Sequence, residues 1–199
     1  MIPQLGLRPA ALALLVATLP GLAAAGGTVA GKVDVKPAKF ADETVAFLKD
    51  APLRRAPATF QMDQKGIKFV PFILTVAVGD TVEFLNHDAV DHDVFSPDNE
   101  SFHLGHFRVE EERSYTFRKP GAYSIRCDIH PGMLAWICVS ESGWAAPVDR
   151  KGQFRIEDVP PGTYTLAVWN AHLPGAERKV TVLDGKTVEE SFALKQQQP

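Results

Sequence analysis

Almost no stretch of this chain carries apolar residues at helical spacing; short β-branched and aromatic runs recur instead, each closed by a turn signal. The runs fall at 28–35, 44–48, 72–78, 81–85, 91–95, 114–117, 122–127, 134–139, 153–156, 163–169, 178–183 and 187–193. Between them stand Val78-Gly79-Asp80, Lys119-Pro120-Gly121, Asp149-Arg150-Lys151-Gly152, Pro160-Pro161-Gly162 and Asp184-Gly185-Lys186, where Gly and Pro favour chain reversal. A chain of this kind folds as all-β, because each run can bury a face only against another sheet. Pro71 has no N–H for a ladder, so residues 69–72 are expected at an edge or a bulge.

Residues 1–25 stand apart. Arg8, the apolar run 10–19, the Pro20-Gly21 break and Ala23-Ala24-Ala25 form the pattern of a secretory signal peptide, with cleavage expected after Ala25. An apolar run of about ten residues is too short for a hydrocarbon core of roughly 30 Å. No later stretch is long and apolar enough to span a bilayer, so the mature chain is expected to be periplasmic, with no membrane span. The 199 residues hold 21 Lys+Arg against 24 Asp+Glu, and loss of Arg8 leaves the mature chain more acidic still. That balance argues against nucleic acid as a partner.

Two breaks divide the mature chain. Asp50-Ala51-Pro52-Leu53-Arg54-Arg55-Ala56-Pro57 reads as a linker, and Glu141-Ser142-Gly143 ends a strand. The expected organisation is residues 26–57 as a strand pair with linker, 58–141 as one self-contained β domain, and 142–199 as a further β-sandwich. Neither flank alone has enough strands to cover two sheet faces. The favoured expectation therefore joins 26–57 to 142–199 as one discontinuous sandwich with 58–141 inserted. The alternative makes 27–48 an extension of the inserted unit's own sheet. Pairing of strand 27–35 with strands beyond 150, or with 72–85, separates the two.

Within 58–141, Cys127-Asp128-Ile129-His130-Pro131-Gly132-Met133 places a thiolate, an imidazole and a thioether three residues apart on one short loop. With one further imidazole, that is the donor set of a blue-copper site: two His and one Cys in a plane, with a weak axial Met. His92, on the separate run 91–95, supplies it. Pro131 fixes φ and Gly132 tolerates positive φ, which suits a tight return between strands. Zinc also accepts Cys and His, but Met is a poor zinc ligand. The chain has two Cys, and in an exported protein a disulfide between Cys127 and Cys138 is the competing expectation. Cys138 alternates with Trp136 on an apolar run and reads as a buried core thiol, which leaves Cys127 free to ligate.

Residues 62–140 resemble a cupredoxin, nearest the amicyanin and pseudoazurin type. The likeness lies in Phe69-x-Pro71, in Val76-x-Val78-Gly79-Asp80-Thr81-Val82-x-Phe84-x-Asn86, in the Asn86–His92 interval and in the Cys-x-x-His-x-x-Met loop. It implies His92, Cys127 and His130 as equatorial copper ligands, Met133 as the axial ligand, and Asn86 as a supporting residue that ties the ligand loops together. The flanks, in Gly27-Thr28-Val29-Ala30-Gly31-Lys32-Val33 and Asp149-Arg150-Lys151-Gly152-Gln153-Phe154, resemble a carboxypeptidase-regulatory-like, transthyretin-type sandwich. Exported proteins labelled methylamine-utilization proteins combine such modules. The expected fold is thus all-β: a cupredoxin Greek-key β-sandwich plus a second, transthyretin-like one.

Two departures from the resemblance concern charge. Asp91 and Asp93 flank His92 and are expected to be solvated, while His87, His103 and His106 are expected on loops, the sharper alternative being a second copper site. His172 is expected in a turn without metal. The function expected is a periplasmic type 1 copper protein with one copper per chain, not an enzyme, shuttling single electrons to and from a transient cytochrome or dehydrogenase. A copper storage or delivery protein and an exported partner-binding module are the rivals.

Overall fold

The computed structural model describes residues 26–196; the signal peptide expected at 1–25 lies outside the described residues. Two N-terminal strands, β1 (Gly27–Lys36) and β2 (Thr44–Lys49), flank a 3-10 turn at Ala38–Glu43. Nine follow: β3 (Thr59–Gln64), β4 (Phe69–Val70), β5 (Ile73–Ala77), β6 (Thr81–Asn86), β7 (His92–Ser96), β8 (Phe102–Phe107), β9 (Glu112–Thr116), β10 (Gly121–Arg126) and β11 (Leu134–Ser140). The last five are β12 (Ala145–Pro147), β13 (Gln153–Val159), β14 (Gly162–Asn170), β15 (Ala176–Val182) and β16 (Thr187–Lys195).

These strands make four sheets in two sandwiches. One sandwich joins the order β4-β3-β6-β9 to β5-β11-β10-β7-β8. Met62, Phe84, Val94, Ile125 and Ile137, drawn from both of its sheets, share one buried core. The other sandwich joins β13-β1-β16 to β12-β2-β14-β15, around Val29, Leu48, Ile156, Leu166 and Phe192. Its first sheet is held by β1, which runs antiparallel to β13 and parallel to β16 from Thr28↔Thr187 to Lys36↔Lys195. The pattern of β1 accounts for this: Val29, Val33 and Val35 are buried while Lys32, Asp34 and Lys36 face solvent. Gly31 lies where a Cβ would run into the Glu190 carbonyl and the Phe154 ring. Strand β2 pairs with β12 and β14. Neither β1 nor β2 pairs with β5 or β6 in these sheets.

Residues 69–72 sit at an edge as Pro71 requires, with β4 closing the outside of its sheet. The boundaries of the expected runs shift by at most three residues, and β3, β4, β8 and β12 are additional strands. β8 replaces the expected histidine loop: His103 and His106 are exposed on a strand whose Phe107 is buried. Gly105, at φ 75°, sits where the β7–β8 register shifts between Val94 and Phe95, so a bulge hides the strand's alternation.

Candidate metal centre

The order β11-β10-β7 brings the donors together. Cys127 lies one residue past the end of β10, and His92 is the first residue of the neighbouring β7. The loop 127–133 then turns through Pro131 and Gly132, the latter at φ +90° with open space around it. It closes with the Met133 N–H donating to the His130 carbonyl at 3.1 Å. β10 and β11 leave and rejoin this loop in register, with Arg126 opposite Leu134. A paired hairpin therefore fixes both ends of a short loop, and the loop has little freedom to move its donors apart.

The three donor atoms form a triangle. His92 Nδ1 and His130 Nδ1 are 3.0 Å apart, and the Cys127 sulfur lies 3.7 Å from His130 Nδ1 and 4.0 Å from His92 Nδ1. Ligands bonded to one ion at about 2.0–2.1 Å from nitrogen and about 2.3 Å from sulfur stand roughly 2.9–4.2 Å from one another. All three edges meet that test, and one point close to the plane of the three atoms satisfies the bond lengths together. His92 is wholly buried, Cys127 is 6% exposed and Met133 is 5% exposed, so water is largely excluded. Met133 shares the buried core that contains Cys127. His130 is partly exposed and sits beside exposed Ile129.

A carboxylate orients the buried imidazole. Asp88 Oδ2 lies 3.0 Å from His92 Nε2. With Nε2–H donating to the carboxylate, the lone pair of His92 remains on Nδ1, the atom that faces the triangle. The backbone N–H of Ile67, the His92 ring and the Ala89 N–H hold the Asp88 carboxyl well below the usual carboxylate range, against the opposing effect of burial. It is therefore ionised and able to accept at neutral pH. Asp93 contributes through its backbone, whose N–H donates to the Cys127 sulfur at 3.3 Å.

His92, Cys127 and His130 are brought together here and Met133 ends the same loop, while Asn86 stands apart from the role expected of it. Asn86 donates to the carbonyls of Val90, Phe107 and Arg108 and accepts from the Asp88 N–H. It braces the segment leading to His92 against the end of β8, and none of its side-chain hydrogen bonds goes to the 127–133 loop. The reason is its place at the end of β6, in the sheet opposite the one that carries that loop. Asp93 corrects the expectation of a solvated carboxylate: its side chain is 3% exposed and bonds to His103 Nε2 at 2.7 Å. Asp91 is exposed as expected. His87 pairs with Asp63 at 3.2 Å, and His172 pairs with Glu43 at 2.9 Å and stacks on Phe40. Both cysteines are free and buried, and burial pushes the Cys138 thiol up. Asp88 is the site residue that sequence reasoning missed, and Asp93 is the one it placed in solvent. The available signal was a carboxylate four residues before the first histidine and another directly after it.

Comparison with known proteins gives partial likenesses. The family described as polysaccharide lyase family 4, domain II, matches residues 143–190; it is not the carboxypeptidase-regulatory-like family expected for the flanks. No curated protein matches the chain. Among solved structures, a purple cupredoxin from Nitrosopumilus maritimus is similar at 25% identity and TM-score 0.38, over 40% of this chain and 98% of that one. A reduced mutant of amicyanin is similar at 26% identity and TM-score 0.40, over 48% of this chain and 98% of that one. A copper-containing nitrite reductase from Thermus scotoductus SA-01 reaches 35% identity and TM-score 0.40 over 45% of this chain, which spans only 23% of that enzyme. The donor triangle, rather than these partial likenesses, carries the functional reading.

Proposed function

We propose that this chain is an exported type 1 copper protein that passes single electrons between transient redox partners. The observation that carries the reading is the triangle of buried His92 and Cys127 with partly exposed His130. A thiolate with two imidazoles suits copper in both of its common oxidation states, and a thioether on the same loop adds a soft fourth donor. When bound, copper supplies one-electron cycling between Cu(II) and Cu(I).

The residues of the chain do the rest. Asp88 holds His92 in the tautomer whose Nδ1 is free to ligate. The Asp93 N–H withdraws electron density from the Cys127 sulfur. The β10–β11 hairpin fixes the spacing of Cys127, His130 and Met133, so little need rearrange when an electron arrives. His130 offers its partly exposed ring to the partner, with its chain neighbour Ile129, 41% exposed, as apolar contact. The proposed role is a carrier and not an enzyme, serving a cytochrome or a dehydrogenase after export.

Titration of the mature protein with Cu(II) tests this. The expected result is an intense visible thiolate-to-copper band at one equivalent, bleached by reductant, absent in Cys127→Ser and retained in Cys138→Ser. A colourless complex, or a band that survives Cys127→Ser, overturns the reading.

A further inference from the structure

A second group of donors stands beside the first. Asp93, His103 and Asp128 each direct one ligand-type atom to within 4.8 Å of the others. Asp93 comes from β7 and His103 from the adjoining β8, while Asp128 follows Cys127 on the loop after β10. Three separate segments thus meet at one surface point, and none of the three residues belongs to the triangle.

Asp93 marks this as more than a surface cluster. Its side chain is 3% exposed, and only one of its oxygens has a partner, the His103 ring at 2.7 Å. The other oxygen, Oδ1, is buried with no hydrogen-bond partner. A buried carboxylate ordinarily has both oxygens satisfied, and an orphaned one calls for a cation or a donor. The His103 ring is steadied edge-on by Phe95, at 5.9 Å between ring centroids. His103 and Asp128 are exposed, so an ion has access from solvent and water can complete its coordination.

We infer that Asp93, His103 and Asp128 form a second metal site, for a borderline divalent cation of the zinc, cobalt or copper(II) class. One imidazole and two carboxylates are the donors such ions accept, and they carry the two negative charges that neutralise one. The absence of sulfur disfavours Cu(I). The 2.7 Å between His103 Nε2 and Asp93 Oδ2 is a hydrogen-bond distance, shorter than two ligands of one ion stand, so binding breaks that bond. The imidazole proton passes to Nδ1, the two atoms part by a few tenths of an ångström, and the second Asp93 oxygen gains a neighbouring positive charge. His87 and His106 take no part: the first pairs with Asp63, and the second is absent from the group.

Cobalt(II) titration of the metal-free mature protein, followed by equilibrium dialysis and absorption, tests the site. The wild type is expected to bind two equivalents, of which only one produces a thiolate-to-cobalt charge-transfer band. His103→Gln should lose the equivalent without that band and keep the other. Asp128→Asn should weaken the same equivalent at least tenfold, while Cys127→Ser should abolish the charge-transfer band and leave the His103-dependent equivalent in place. Since His103 is 57% exposed, its replacement leaves the core intact, and circular dichroism verifies the fold. Saturation of the wild type at the single thiolate-bearing equivalent overturns the inference, as does unchanged stoichiometry in His103→Gln. A His103-dependent equivalent without any thiolate band supports this site and counts against the copper reading instead.

Discussion

His92 Nε2 and Asp88 Oδ2 stand 3.0 Å apart, one wholly buried and the other at the mouth of the same loop. Asp88 also accepts the Ile67 and Ala89 amides, so the carboxylate that orients the imidazole is itself fixed in place. Removing such a partner of a metal-ligating histidine typically costs about 10–100-fold in affinity. Asp88→Ala should therefore weaken copper binding by about that factor in a competition titration. Asp88→Asn keeps one acceptor oxygen and should lose less. Equal affinity in all three proteins counts against the orienting role.

Copper should stabilise the fold, because its donors come from β7 and from the β10–β11 loop and meet only in the folded chain. A ligand at a hundred times its dissociation constant adds about 2.7 kcal/mol. For a domain the size of 59–140 that amounts to a rise of about 11–22 °C in the midpoint of its transition. Differential scanning calorimetry with and without copper measures it. Cys127→Ser should abolish most of the rise, and a similar shift in that variant points to binding elsewhere.

The triangle was legible because Cys, His and Met are scarce residue types whose spacing on one loop has few other uses. The pairing of β1 with strands after 150 also had a visible trace, since each flank alone lacked enough strands to cover two faces. Other features were hidden for physical reasons. β3 contains buried Gln64, whose side-chain N–H donates to the Leu85 carbonyl at 3.0 Å; a polar residue there reads as loop until its cross-strand partner is known. β8 loses its alternation at Gly105 and carries two histidines on its exposed positions. Asp93 sits next to a buried ligand on a strand, and alternation alone sends its side chain to solvent. It is buried because β8 lies alongside and the His103 ring donates to it, a tertiary circumstance that no local pattern carries.

The linker is pinned by charge. Arg55 places its two terminal nitrogens 2.7 Å from the two oxygens of Asp80, which also accepts the Ala58 and Ala77 amides. Burial pushes the Asp80 carboxyl up, but the Arg55 and backbone hydrogen bonds outweigh it and hold it below its ordinary value of 3.8. A carboxyl depressed in the folded state stabilises above its unfolded pKa, and that contribution is lost as pH falls through about 4 toward the folded value. Arg55→Met should cost about 1–3 kcal/mol at pH 7, because Asp80 keeps its backbone donors and Arg55 is partly in water. Urea midpoints from pH 7 to pH 3 should fall less steeply in the variant than in the wild type; parallel slopes refute the assignment.

The two sandwiches meet through Trp136 of β11 and Trp169 of β14, whose rings stand at 65° with centroids 5.2 Å apart. Val45, Ile73 and Cys138 are buried in the same cluster, with Phe47, Ala122 and Ala145 packed against it. Trp136 Nε1 donates to Glu43 at 3.2 Å, and the same Glu43 oxygen pairs with His172, so the contact is polar at its edge and apolar within. An edge-to-face aromatic pair contributes about 0.5–1.5 kcal/mol beyond its buried area. A double-mutant cycle with Trp136→Leu and Trp169→Leu should return a coupling energy in that range from urea unfolding. The cycle isolates the ring contact because each leucine keeps part of the apolar packing and neither replaces the other's partner. The Glu43–Trp136 bond is lost in one single mutant and in the double mutant, and therefore cancels. A coupling energy of zero means that the edge-to-face contact adds nothing beyond the apolar area each ring buries.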